Sequence, residues 1–213
     1  MDKHPKTKDT YNQISTNFSA SRNYIWPDLK PFLDEVPEKS SVLDLGCGNG
    51  RLLLGLPQNI NYLGIDSSEE LLKNAQILHR ENKFVEGDIT EKETWKNLPQ
   101  YDYIFCIAVI HHLPTFHDHL FLLQQIKKHL KPNGKILITA WNLWQPKLLK
   151  HHLSFQSLKL KLKTLNPKSL NIPFQKTARY HFAHTTPYLK NLVQKSGLDL
   201  VVKKSSKNYL IHS

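Results

Sequence analysis

The stretch Ser41-Val-Leu-Asp-Leu-Gly-Cys-Gly-Asn-Gly50 decides how the rest of the chain is read. Val42, Leu43 and Leu45 form a short apolar run of strand type, and it stops at Gly46, Gly48 and Gly50 on alternate positions. Missing side chains let a backbone approach a ligand closely, and Asn49 onward can begin a helix whose N–H groups face it. Working outward, residues 60–66, 83–88, 101–110 and 134–141 read as further strands, most of them ending at Asp, Gly or His. Between them, residues 67–80 open with Ser67 and Ser68 ahead of an acidic first turn, as a capped helix does. Phe116, Leu120, Leu123, Ile126 and Leu130 recur at helical spacing until Lys131-Pro-Asn-Gly134 stops them. Strands alternating with helices require right-handed crossovers, hence an α/β fold with a mostly parallel sheet covered on both faces. Ligands of such sheets bind beyond the carboxyl ends of the strands, where strand order reverses.

A chain of 213 residues without a Pro/Gly/Ser-rich linker fits one domain. It divides into an N-terminal helical cap (1–40), a core (41–141), a basic insertion (142–184) and a C-terminal helix and hairpin (185–213). No apolar run reaches the roughly 18–20 residues that span a bilayer, and Met1-Asp-Lys-His-Pro5 lacks the apolar stretch of a secretory signal. Cys47 and Cys106 are too few and too far apart for a disulfide framework or a metal knuckle, which suits a reducing cytoplasm. The net charge of +11 is unevenly placed: residues 1–118 hold 17 acids against 12 Lys and Arg, residues 119–213 one acid against 17. A half that is so one-signed attracts polyanions, unless it is merely a solvated lysine face.

Four segments meet at the carboxyl ends of the strands. The glycine loop brings Gly46, Cys47, Gly48, Asn49 and Gly50. Asp66 closes the next strand, 18 residues beyond Gly48, where a carboxylate can accept from both hydroxyls of a ribose. Asp88 follows the third, within reach of a nucleobase edge. The fourth ends Cys106-Ile-Ala-Val-Ile-His-His-Leu-Pro114, on two imidazoles that must find partners or face a cavity. With Ser67, Ile89 and Ala108 beside them, these residues make one candidate cofactor pocket. Asp44, two residues ahead of the loop, would repel a pyrophosphate but suits a cationic nucleoside such as S-adenosylmethionine. Each residue alone could be an ordinary turn, cap or strand end; their joint order sets that aside. Successive residues diverge in an extended segment, so one of the two histidines should face the pocket, and His111 is preferred. Cys47 reads as a compact filler and Cys106 as core; the other histidines lack metal-site spacing, and no metal is expected.

Residues 42–51, 62–75, 86–88 and 107–113 resemble the cofactor motifs of class I S-adenosylmethionine-dependent methyltransferases. That resemblance implies a Rossmann-like, seven-stranded sheet with an antiparallel C-terminal strand. More narrowly, Tyr11, Asn12, Ile14, Phe18, Ser19, Arg22, Trp26 and Pro27 match the opening of the wobble-uridine tRNA carboxymethyl methyltransferases, including the domain fused to an AlkB-type dioxygenase. Residues 179–197 resemble that family's Arg-Tyr-x-His segment loosely. Ser15 and Ser21 stand where the family usually has Ala and Thr, and only part of its Arg-Tyr-Tyr-His pattern is kept around Arg179.

What the resemblance implies is methyl transfer to the carboxylate of 5-carboxymethyluridine in a tRNA anticodon. A carboxylate with a pKa near about 4 is ionised at neutral pH, so no general base is required. Arg22, His111 and Arg179 become the candidates for holding the reacting carboxylate, and Tyr11, Trp26, His112 and His181 for contacting the substrate. Arg22 could instead cap a helix, Arg179 bind a phosphate, and His181 be an ordinary satisfied imidazole. Residues 142–178 carry seven lysines and no acid, with Trp144, Phe155 and Phe174 available to stack on bases; a mobile excursion or an amphipathic helix on an anionic membrane are the alternatives. The expected partner is tRNA rather than a membrane. Relatives in eukaryotes use a small zinc-binding activator protein, and this chain could use one. Two other functions stay open: a small-molecule O-methyltransferase, for which the basic half is incidental, and a non-catalytic RNA-binding subunit.

Overall fold

Strand β1 (Ser41–Leu45) lies in the interior of the sheet in the computed structural model, which describes residues 7–20, 24–174 and 177–213. Its parallel neighbours are β2 (Asn61–Asp66) and β4 (Tyr101–Ile107), flanked in turn by β3 (Lys83–Glu86) and β5 (Leu130–Trp141). The chain returns late to add β9 (Asn208–His212) antiparallel to β5, with β8 (Val201–Lys204) at the edge. The resulting order, β3-β2-β1-β4-β5-β9-β8, reverses between β1 and β4. A crevice therefore opens above those two strand ends, where the glycine loop and residues 108–114 emerge.

Alternation along the strands sorts side chains into two layers. Leu43, Leu45, Ile104, Cys106, Ile136 and Ile138 face helices α5 (Phe116–His129) and α8 (Thr186–Ser196), meeting Leu122, Leu123, Ile126, Leu189 and Leu192. Val42, Phe105 and Leu137 face the other way, onto Leu29, Leu33, Val36, Leu52 and Leu56. Both faces are thus covered, as a parallel sheet requires. Truncating a fully buried member such as Leu122 to Ala would cost about 2–5 kcal/mol.

Three local expectations are corrected. No α-helix follows the glycine loop: a 3-10 turn over Arg51–Gly55 does, because Gly55 and Pro57 interrupt any continuation. Strand β5 begins at Leu130, earlier than expected, and absorbs Lys131-Pro-Asn-Gly134 through a register shift opposite Tyr101 and Tyr103. His111 and His112 lie on a tight 3-10 turn, Ile110–His112, so their side chains stay together rather than diverging.

Around the sheet run α1 (Thr7–Ala20), α2 (Lys30–Leu33), α3 (Glu69–Leu78) and α4 (Lys92–Trp95). Ser68 caps α3 by accepting from Leu71 N–H, so the cap falls one residue into the expected Ser-Ser pair. The chain between β5 and α8 forms α6 (Pro146–Leu149), α7 (Phe155–Thr164) and a hairpin of β6 (Ser169–Phe174) and β7 (Thr177–Phe182). That hairpin is a separate two-stranded sheet with its own apolar cluster of Leu143, Leu170, Ile172 and Ala183. Among the described residues, no helix is long and apolar enough to cross a membrane.

Candidate functional site

A cavity of about 610 Å³ occupies the crevice. At one end the glycine loop turns through positive φ, 70° at Gly46 and 57° at Gly48. A Cβ on Gly46 would run into the Val109 side chain, so the loop and the end of β4 can approach only through glycine. The Gly48 N–H donates to Asp66 Oδ2 at 2.9 Å and the Ser68 N–H to Oδ1 at 2.8 Å. Each carboxylate oxygen keeps a lone pair for a ligand. Burial raises the Asp66 pKa, and N–H groups of Ser68, Gly48 and Ser67 pull it back. Asp88 has Oδ1 tied to the N–H and hydroxyl of Thr90, and that leaves Oδ2 for the cavity. Cys47, Asn49, Ser67, Ile89 and Ala108 complete this wall. Ala108 is held at φ 60°, with its N–H on Thr139 Oγ1 at 2.9 Å; strained backbone of this kind gathers at functional sites.

Two expected cofactor residues lie off the lining. Asp44 is in phase with Val42, so alternation turns it beneath the loop, where it is 3 % exposed and accepts from the Tyr62 hydroxyl at 2.8 Å. Burial pushes its carboxyl up to about 7, with Tyr62 and Arg51 pulling down and Asp66 pushing up. Gly50, at φ 76°, serves the turn, with the rings of His79 and Phe84 against it.

The far end of the cavity is built from Tyr11, His111, His112, Trp141 and Arg179. Arg179 is 5 % exposed, its guanidinium over the rings of Phe174 (4.5 Å) and Trp141 (5.4 Å). Its Nε has no hydrogen-bond partner, and among the described residues no ion pair includes it. His112 donates from Nδ1 to the Tyr180 carbonyl at 2.8 Å, which leaves Nε2 to accept from the Tyr11 hydroxyl, also at 2.8 Å. Burial lowers its pKa to about 4, with the Tyr180 carbonyl opposing and Arg179 assisting. The expectation that His111 alone faces the cavity is corrected. Both rings back its wall, and His112 keeps the greater exposure, 9 % against 0 %. His111 stacks between Trp141 and His181; Nδ1 accepts from Trp141 N–H at 3.3 Å, so the ring proton sits on Nε2, which has no partner.

His181 is fully buried behind the two histidines, off the lining, and donates from Nδ1 to the Arg179 carbonyl. Ligand atoms of His111, His112 and His181 lie within 4.8 Å of one another, close enough for one metal ion. The bound proton on His111 Nε2 and the neighbouring Arg179 cation fit an anion better. Trp26 lines the cavity with the Arg51 guanidinium 4.4 Å above its ring. Arg22 lies outside the described residues. Reading the sequence missed Arg51 and Trp141, although Arg51 directly follows the glycine loop and Trp141 ends a strand at the binding edge. It also missed Thr7, Lys8 and Asp9, which α1 contributes to the wall and which carry no signal of their own.

The cavity is therefore polarised. Asp66 and Asp88 stand at the end beneath the glycine loop, and the Arg179 guanidinium, in no ion pair among the described residues, stands at the other; Asp118, also on the lining, is committed to capping α5 through Thr115. Such a site takes a cationic nucleoside beside an anionic acceptor.

A methyltransferase-domain family model matches residues 18–203. A tRNA (carboxymethyluridine(34)-5-O)-methyltransferase of Schizosaccharomyces pombe is 30 % identical over 205 residues, covering 88 % of this chain and 86 % of that protein. The corresponding Mus musculus protein, ALKBH8, is 33 % identical over 135 residues, 63 % of this chain; the chain spans 20 % of its length and 31 % of that of an Arabidopsis thaliana relative. The CcbJ methyltransferase of Streptomyces caelestis superposes with a TM-score of 0.71 at 14 % identity, over 100 % of this chain and 98 % of that one. A Methanosarcina mazei S-adenosylmethionine-dependent methyltransferase gives 0.70 at 16 %, over 88 % and 96 %.

Proposed function

This chain belongs to the methyltransferase-domain family, among its tRNA (carboxymethyluridine(34)-5-O)-methyltransferases, and from that premise we propose that it methylates the carboxylate of 5-carboxymethyluridine at the tRNA wobble position. The observation that carries the reading is Arg179: its guanidinium is buried, its Nε has no partner, and among the described residues no carboxylate pairs with it, which is costly unless a ligand supplies one. The residues present fit S-adenosylmethionine. Free lone pairs on Asp66 can accept from a ribose, Asp88 Oδ2 from a base, and the close approach of loop and β4 at Gly46 leaves a backbone cradle. When bound, S-adenosylmethionine supplies an electrophilic methyl group on a sulfonium.

The protein's own work is placement. Arg179, clamped between Phe174 and Trp141, pairs with one oxygen of the acceptor carboxylate and fixes the direction of the other. Trp141, Val109, Leu113 and Pro114 exclude water from the space between acceptor and donor. Burial keeps His112 neutral while Tyr11 and Tyr180 fix its ring, so that it shapes the acceptor end without adding a second charge that would quench the nucleophile. No residue has to remove a proton, since the acceptor is already ionised. The acid-poor half of the chain, with 17 Lys and Arg against one acid, supplies the attraction for tRNA. An activator protein that adds a strand would find edge strand β3 open, with Val85 40 % exposed.

The direct test is incubation with labelled S-adenosylmethionine and bulk tRNA from cells lacking the enzyme, followed by nucleoside mass spectrometry. The expected product is a base-labile methyl ester of 5-carboxymethyluridine. Label on a ring nitrogen, on ribose or on a small metabolite instead would overturn the assignment.

A further inference from the structure

Helix α7 is inside out. The side it packs on the hairpin holds Ser157, fully buried with its hydroxyl accepting from the Asn171 N–H, and Thr164, whose hydroxyl meets the Leu160 carbonyl and Ser169. The side it turns to solvent holds Phe155 (81 % exposed), Leu158 (45 %) and Leu162 (77 %), with Leu165 (84 %) continuing the i, i+3, i+7 spacing and Leu153 (79 %) just ahead. Seven of the 13 large apolar side chains that are exposed among the described residues fall between Trp144 and Leu165. Patches this concentrated mark interaction surfaces.

We propose that this ridge is a docking surface for an anionic lipid bilayer, with α7 lying along the interface rather than crossing it. Lys147, Lys150, Lys159 and Lys163 are exposed on the same segment, and no acid occurs anywhere between His119 and Leu198. Apolar tips flanked by lysines, on a helix whose polar side is occupied by the protein itself, match what an acidic headgroup layer over acyl chains requires. Trp144 and Phe155 could stack on RNA bases, but Leu149, Leu153, Leu158, Leu162 and Leu165 give RNA nothing, since it is held by phosphate contacts and by stacking on rings. A second copy would set lysines against lysines with no acid to relieve them. The surface lies outside the cavity residues and departs from the expectation that no membrane takes part.

The test is co-sedimentation of the 213-residue chain with sucrose-loaded vesicles of phosphatidylcholine alone or with about three-tenths phosphatidylserine. Phosphatidylserine should raise the partition coefficient at least about tenfold. Leu153→Gln/Leu162→Gln should remove most of that gain while leaving S-adenosylmethionine affinity and tRNA affinity unchanged, which also shows that the variant folds. The proposal falls if the protein ignores phosphatidylserine vesicles, or if the double variant binds them as well as the parent, because the attraction is then charge alone. Concentration-dependent dimerisation abolished by the same pair, without vesicle binding, would assign the ridge to a second copy.

Discussion

At the smallest scale the proposed chemistry turns on Arg179. Replacing it with Gln keeps a hydrogen-bond donor near the same place but removes the charge, and turnover on tRNA should fall about a hundredfold, as when a donor to a reacting oxygen is lost. S-adenosylmethionine affinity measured by calorimetry should stay within about twofold, because the guanidinium stands at the other end of the cavity. Asp44 makes a converse case. Its folded pKa is raised to about 7 by burial, above the usual carboxylate value, so native stability is lost as pH climbs between the two values. Asp44→Asn, still able to accept from Tyr62, should therefore stabilise the protein alone by about 2–3 kcal/mol more at pH 8 than at pH 5, read from denaturant melts. The identity of most cavity residues was legible because loop, strand end and acid recur in fixed order. The direction of Asp44 was also implicit, in its two-residue phase with Val42, but spacing to the glycines concealed it. The pairing of His112 with Tyr11 and Tyr180 was not legible, because hydrogen bonds across 101 and 68 residues of chain leave no local trace.

Helices and strands follow the same division. The parallel sheet could be read from alternating apolar runs, since strand period and turn residues are local properties. The register shift in β5 and the 3-10 turn after the glycine loop could not, for both are compromises between Pro or Gly and neighbouring packing. Helix α1 brings Thr7, Lys8, Asp9 and Tyr11 to the cavity. Ile14 is buried, but much of what joins α1 to the core is polar: Tyr11 to His112, Asn12 to Ser68 and Lys8 to Glu86. Tyr11→Phe removes one of these ties and leaves His112 Nε2 without that donor. Loss of one such bond is worth about 1 kcal/mol, so kcat/KM on tRNA should drop by about fivefold, with global melting nearly unchanged. A larger fall in melting temperature would mean that α1 has a structural role only.

Over the whole molecule, charge and protonation set the working range. His111, His112, His119, His181 and His184 are all buried, and burial lowers the pKa of each, to about 4 for His112 and His119. They are neutral when folded and take protons when unfolded, so their contribution is complete above the unfolded value near about 6.5 and drains away as pH falls toward 4. His112 and His119 alone should each forfeit about 3 kcal/mol over that interval, and a plot of unfolding free energy against pH should descend steeply below 6.5. Binding of tRNA should weaken linearly with the logarithm of salt; a flat response would favour a small-molecule substrate.

One architectural detail extends beyond binding. The residue that would grip the acceptor rides on the small β6–β7 ribbon, which shares no ladder with the main sheet that bears the glycine loop. The two halves of the reaction therefore age differently under stress. Warmed toward its melt, the protein should turn catalytically mute while it still carries its donor, and amide exchange across 169–182 should quicken first.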